Sequence, residues 1–198
     1  MNDNTLAPWA DLVSLGTRHA MAGLSEMIGQ DITVSSFALK RVAVAELADV
    51  VGGAETDAVG IYLTVTGAAN GHLMLIYDPA IAYAFVDLLM GQPIETTTEL
   101  DEMGRSALGE MGNIIGAFFL NAIADATGLE LSPSPPAVMT DMAGALLDVV
   151  TAEILMRQDD TYLAETTFAT SEGQIEGQFM VIPSEEFLEA LLDSVKAA

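Results

Sequence analysis

Apolar and polar positions change rhythm several times along the chain. Between residues 9 and 28, Trp9, Leu12, Val13, Leu15, Leu24, Met27 and Ile28 recur at mixed three- and four-residue spacings and stop at Gly29, which predicts a helix with a glycine end. Residues 31–37 alternate and are rich in β-branched side chains, the pattern of a strand. Residues 42–51 read as a short helix closed by Gly52 and Gly53. Residues 58–66 and 71–77 alternate again and are joined through residues 67–70, as in a β-hairpin. Asp78 and Pro79 then supply the cap and the first-turn proline of a helix through Met90.

The second half repeats this order. Thr96 and Glu99 offer a capping box for a long helix that runs to about Gly128. Residues 129–132 begin a strand, and Pro133, Pro135 and Pro136 mark an irregular passage. Residues 146–156, 161–170 and 174–182 read as strands, and residues 184–195 as a closing helix. At an offset of 99 residues Asp11 aligns with Glu110, Ser14 with Asn113, Gly29 with Gly128 and Phe37 with Pro136. The run from Gly71 to Ile76 matches Gly177 to Ile182 at an offset of 106, the extra seven residues reading as a loop insertion. These matches predict an internal duplication of helix–strand–hairpin–helix, with halves at about 9–91 and 97–195 of a single domain spanning 1–198. The simplest fold is α+β: one sheet with helices packed beside it, the halves related by pseudo-twofold symmetry.

Composition narrows the function. Twenty-nine acidic residues stand against six Lys and Arg, a formal charge of −23, and such a field repels phosphate backbones and anionic lipid surfaces. Nucleic acid and membrane are therefore not expected partners. The chain has no cysteine, which removes thiolate catalysis, disulfides and Cys-based metal sites. His19 and His72 are too far apart to suggest a local metal motif, and no phosphate-binding loop, nucleophile elbow or His-Glu-x-x-His run occurs. The first nine residues have no cationic leader followed by an apolar run, so the expected location is the cytoplasm.

Within the long second-half helix, Ser106, Glu110 and Asn113 fall within about 60° of one another around the axis. They form a polar patch, with Ala117 beside it. Ala107, Leu108, Met111, Ile114, Ile115, Phe118 and Phe119 form a broad apolar arc expected to face the sheet. Gly109, Gly112 and Gly116 share a neighbouring side, each at a cost of about 1 kcal/mol relative to Ala. Glycines so placed admit a close approach by another backbone, either the chain's own sheet or a partner. Periodicity alone is compatible with an ordinary solvated face.

Spacing adds more. Ser106-x-x-x-Glu110-x-x-Asn113 is followed after twenty-two residues by Pro136. In this the chain resembles the CheC/CheX/FliY phosphatase family of bacterial and archaeal chemotaxis, whose signature is Asp or Ser, three residues, Glu, two residues, Asn, twenty-two residues, Pro. The segment from Ala20 to Gly29 resembles the corresponding family helix, and the duplicated layout is similar to that of CheC-type members. The first half departs from the signature: it reads Asp11-x-x-Ser14 with Phe37 at the proline position, so one working site is expected, in the second half.

The resemblance implies hydrolysis of the aspartyl phosphate on a CheY-type response regulator. It implies that Asn113 orients the attacking water, that Glu110 pairs with a lysine of the regulator, that Ser106 shapes the contact, and that Pro136 fixes the adjoining loop. It implies no metal or cofactor of the chain's own, since the regulator supplies Mg²⁺. The alternative it leaves open is an adaptor with weak or no catalysis that binds CheY or the receptor deamidase CheD.

Overall fold

In the computed structural model, which describes residues 3–156, 159–170, 176–183, 187–190 and 193, the alternating runs pair as expected. β2 (Asp57–Gly67) and β3 (Gly71–Tyr77) form the antiparallel hairpin. Around it stand α1 (Asp3–Ile28), β1 (Ile32–Ala43), a 3₁₀ helix (Val44–Val51) and α2 (Pro79–Leu89). The second half contributes α3 (Glu102–Thr127), β4 (Leu131–Pro133), β5 (Ala137–Met142), α4 (Ala143–Leu155), β6 (Asp160–Thr170) and β7 (Glu176–Pro183). Helical residues follow at 187–190 and 193, and the rest of the expected closing helix lies outside the described residues.

All seven strands among the described residues join one antiparallel sheet in the order β1-β6-β7-β3-β2, with β4 and then β5 sharing the far edge of β2. Exchanging the two halves leaves that order unchanged. The centre of exchange is the β3–β7 pair, where Met74 faces Met180, residues that the sequence offset of 106 makes equivalent. The helix ends repeat as well: Gly29 and Gly128 stop α1 and α3 at φ 69° and 71°, a left-handed turn in which glycine has no Cβ to clash.

Alternation along the strands sorts side chains into two cores. Val59, Ile61, Leu63, Leu73, Leu75, Phe179 and Val181 meet α1, α2 and α3 on one face. On the other, Ala58, Met74, Ile76, Leu163, Met180 and Ile182 meet the 3₁₀ helix and α4. The arrangement is helix, sheet, helix, with the longer helices on one side.

Several expectations are corrected. Residues 146–156 are not a strand: α4 runs Ala143–Leu155 and buries Leu146, Leu147, Val150, Thr151 and Ile154, a helical spacing. A strand absent from the sequence reading, β5, occupies Ala137–Met142. The residue equivalent to Phe37 is not Pro136. Phe37 pairs with Thr166, whose hairpin equivalent Gly60 pairs with Met139, so the edge strands match three residues later than the helices do. The insertion between halves is thus divided, part of it before β5 and part in α4, which is longer than the 3₁₀ helix it replaces.

The start of α3 is also corrected. Its cap is Asp101, whose carboxylate accepts from Gly104 N at 2.7 Å, in place of a box built on Thr96 and Glu99. The threonines serve another end. Asp87, fully buried on α2, accepts from Thr96 N at 3.0 Å, Thr97 N at 2.9 Å and Thr97 Oγ1 at 2.6 Å, tying the connection between halves to α2.

Candidate functional site

Three of the four residues singled out by the signature lie on the solvent face of α3. Ser106, Glu110 and Asn113 are all exposed. Neighbours three and four apart on a helix have Cβ atoms about 5–6 Å from each other, so the three side chains bear on one spot. None of them makes a side-chain hydrogen bond or ion pair to another described residue, which leaves the carboxylate and the carboxamide open to a partner's groups.

The neighbouring glycine side of α3 explains how they are held there. Gly112 lies against Ile61 of β2, so close that an added Cβ would overlap the isoleucine Cγ2. A Cβ at Gly116 would meet Leu63 Cδ2 at 3.0 Å and Pro133 Cβ at 3.6 Å. The backbone that the glycines admit is therefore the chain's own sheet. The apolar arc faces elsewhere in part: Phe119 and Phe118 pack over Gly16 and Gly23 of α1, and Ala107 and Ile114 are only half-buried. The sheet-facing side of α3 is the glycine side, displaced around the helix from the arc that hydrophobicity alone selects.

Pro136 is drawn to the same place. Its ring is 3.5 Å (Cβ) from a Cβ built on Gly112 and 4.0 Å (Cγ) from one built on Gly109. It stands at the break between β4 and β5, where Ser134 bridges the interruption: Ser134 N donates to Thr64 O at 2.8 Å and Thr64 N donates to Ser134 Oγ at 3.0 Å. Prolines fit here because the edge has no further strand to receive their missing N–H. Pro136 thus touches the glycine side of the helix, beside the face that carries Glu110 and Asn113.

Met103 was missed by the sequence reading. It is 62% exposed, and its place around α3 puts it on the Glu110 face, one turn ahead of Ser106. Plotting every residue of the helix, and not only the polar ones, would have found it. The histidines stay outside the site: His19 is exposed on α1, and His72 is buried with Nδ1 2.8 Å from Tyr62 Oη.

The CheC-like family model matches residues 103–140, the span that holds all of α3 but its first residue, the proline passage and most of β5. Over 190 residues the chain is 28% identical to the CheY-P phosphatase CheC of Bacillus subtilis (strain 168), covering 93% of this chain and 90% of that protein. The chain is similar to CheC-like proteins, most specifically over the segment that carries the candidate site. Among solved structures, the crystal structure of Thermotoga maritima FliY aligns with a TM-score of 0.78 at 19% identity, over 100% of this chain and 98% of that one. A chain of the CheX–CheY–BeF3–Mg+2 complex from Borrelia burgdorferi aligns with a TM-score of 0.59 at 17% identity, over 88% of this chain and 99% of that one. The CheC-like fold, one antiparallel sheet with packed helices, is common to this chain and these solved structures.

Burial settles how α3 is to be seen. It is long and apolar enough to cross a membrane by length and composition, yet half of that stretch is buried inside the fold. It is the core helix of a CheC-like sheet.

Proposed function

We propose that this CheC-like chain hydrolyses the aspartyl phosphate of a CheY-type response regulator in the cytoplasm, with Asn113 and Glu110 as the working pair. The observation that carries this reading is that both side chains are exposed on one face of α3 and unpartnered among the described residues, while Pro136 and the neighbouring glycine side hold that helix to the sheet.

An acyl phosphate already has a good leaving group, so the task is to place a water in line with phosphorus. The water oxygen forms its bond to phosphorus as the bond to the aspartyl oxygen breaks; carboxylate and inorganic phosphate result, the water proton passing to the phosphate. Asn113 offers a carbonyl oxygen to accept from that water and an N–H to donate, with no change of protonation state. Glu110 accepts a charge-assisted hydrogen bond from an ammonium group on the regulator and fixes the helix above the phosphoryl group. Ser106 adds a hydroxyl one turn away. Mg²⁺ comes with the regulator, and this reading gives the chain no metal of its own.

The test is release of phosphate from Mg²⁺-bound, phosphorylated CheY with the wild-type protein and with Asn113→Ala, at low and high salt. Acceleration that disappears in the variant is expected. Equal acceleration by both proteins removes the assignment of Asn113. The salt series reads a second effect: two acidic proteins repel, and screening by salt raises the rate. A second reading, an adaptor for CheY or for CheD, is favoured by one feature: Met142, Val149, Leu155 and Met156 are exposed along α4, an apolar row of the kind that protein partners cover. Absence of acceleration at either salt concentration, with regulator binding retained, selects it.

A further inference from the structure

We propose that Gly112 is a positioning residue: by presenting no side chain to Ile61 and Pro136, it sets the depth at which α3 lies on the sheet and so the height at which Glu110 and Asn113 meet a partner. This rests on the phosphatase reading above and adds a residue that acts through the other two.

The three glycines of α3 are not alike. A Cβ at Gly109 finds room, with Val138 Cγ2 at 3.8 Å and Pro136 Cγ at 4.0 Å. One at Gly116 meets the end of a leucine side chain at 3.0 Å, a group that can turn aside. One at Gly112 overlaps Ile61 Cγ2, and neither neighbour there yields. The isoleucine is β-branched and stiff at χ1. It is fully buried, and its strand is held on both sides, Ile61 facing Leu75 of β3 and Val138 of β5. Pro136, 3.5 Å from the same Cβ, closes the other side.

The helix is what must move. Gly112 points to the sheet, with Glu110 about 160° and Asn113 about 100° from it around the axis, so a methyl group added at Gly112 lifts α3 off the sheet and carries both side chains with it. The displacement is on the order of 1 Å, the misplacement that can cost a reaction about 10²-fold in rate.

The experiment compares four proteins on phosphorylated CheY, with kcat and KM separated: wild type, Gly109→Ala, Gly112→Ala, and the double variant Gly112→Ala with Ile61→Ala, which removes the Cγ2 that the new methyl meets. Asn113→Ala is run beside them to check the phosphatase reading itself. Expected are wild-type kcat for Gly109→Ala, a fall of roughly tenfold or more for Gly112→Ala with KM changed far less, and recovery to within about threefold of wild type in the double variant. That recovery comes despite the lower thermal stability expected of an emptied core position. A purely structural role would make the double variant the worst of the four. If Gly112→Ala keeps wild-type kcat, or the double variant is as slow as Gly112→Ala, the positioning role is overturned. Wild-type protein that leaves the acyl phosphate untouched overturns the phosphatase reading and takes this role with it. A crystal structure of Gly112→Ala gives a readout free of any regulator: an unmoved α3 overturns the proposal.

Discussion

α1 and α3 are equivalent by the symmetry of the sheet, equal in length at 26 residues, and stopped by glycines in the same left-handed turn. They differ in how they use small residues and in what they leave free. In α1, Gly16 and Gly23 open the helix to Phe119 and Phe118 of α3, so its close contacts are with another helix. In α3, Gly112 and Gly116 open it to β2 and the proline passage. On the outer face, α3 presents Glu110 and Asn113 without partners among the described residues. At the matching positions α1 presents Asp11, and Ser14 is already engaged, its Oγ accepting from Arg18 Nη1 at 2.9 Å. The apolar faces and the hairpins are under the same packing constraint in both halves. The solvent faces are not, and that is where the halves have parted.

The largest effect is expected where the difference is greatest. Asn113→Ala lowers the rate of CheY dephosphorylation by roughly 10²-fold while a pull-down or titration still shows regulator binding. Glu110→Ala acts on binding: loss of one charge-assisted hydrogen bond, about 1.5–3 kcal/mol, raises the half-saturating regulator concentration by an order of magnitude or more. Asp87→Ala probes the seam between the halves, since it frees Thr96 and Thr97 at once. It costs on the order of 1–3 kcal/mol, read as a lower melting temperature by calorimetry. Smallest is the double replacement of Asp11 and Ser14 by alanine. It leaves the phosphatase rate unchanged and shifts stability by less than about 0.5 kcal/mol per site. A measurable loss of activity there would give α1 a share in the chemistry and erase the contrast between the helices.

Much of this architecture was legible in the chain because it is local. The 57–77 hairpin, the Asp78 cap with its bond to Ala80 N at 2.8 Å, and both glycine stops depend on residues next to one another in sequence. The elements that were misread depend on distant ones. α4 is made of Leu, Val, Ile and Thr in a short apolar run, which period alone does not distinguish from a strand until one knows which side the sheet covers. β5 is an edge strand with Ala137, Thr140, Asp141 and Met142 exposed, so no alternation announced it. Thr96 and Glu99 have the letters of a capping box, but the threonines are claimed by Asp87 from the previous helix.

The candidate site divides in the same way. That Ser106, Glu110 and Asn113 share one face follows from helical period, and the structure adds that the face is exposed. That Pro136 fixes the passage near this helix was carried by spacing and resemblance. That Gly112 must be glycine comes from Ile61, fifty-one residues earlier, and no local pattern contains it.

Met74 facing Met180 at the centre of the sheet has a consequence for inheritance. Two separate copies of a half-length chain could pair through the same strand and build the same six-position order, but both would be read from one gene, and any change to the helix of one would appear in the other. Joined end to end through residues 90–101, the halves are written separately. A substitution on the solvent face of α1 leaves α3 intact, and the sheet, whose central pair is indifferent to both, continues to hold them in register.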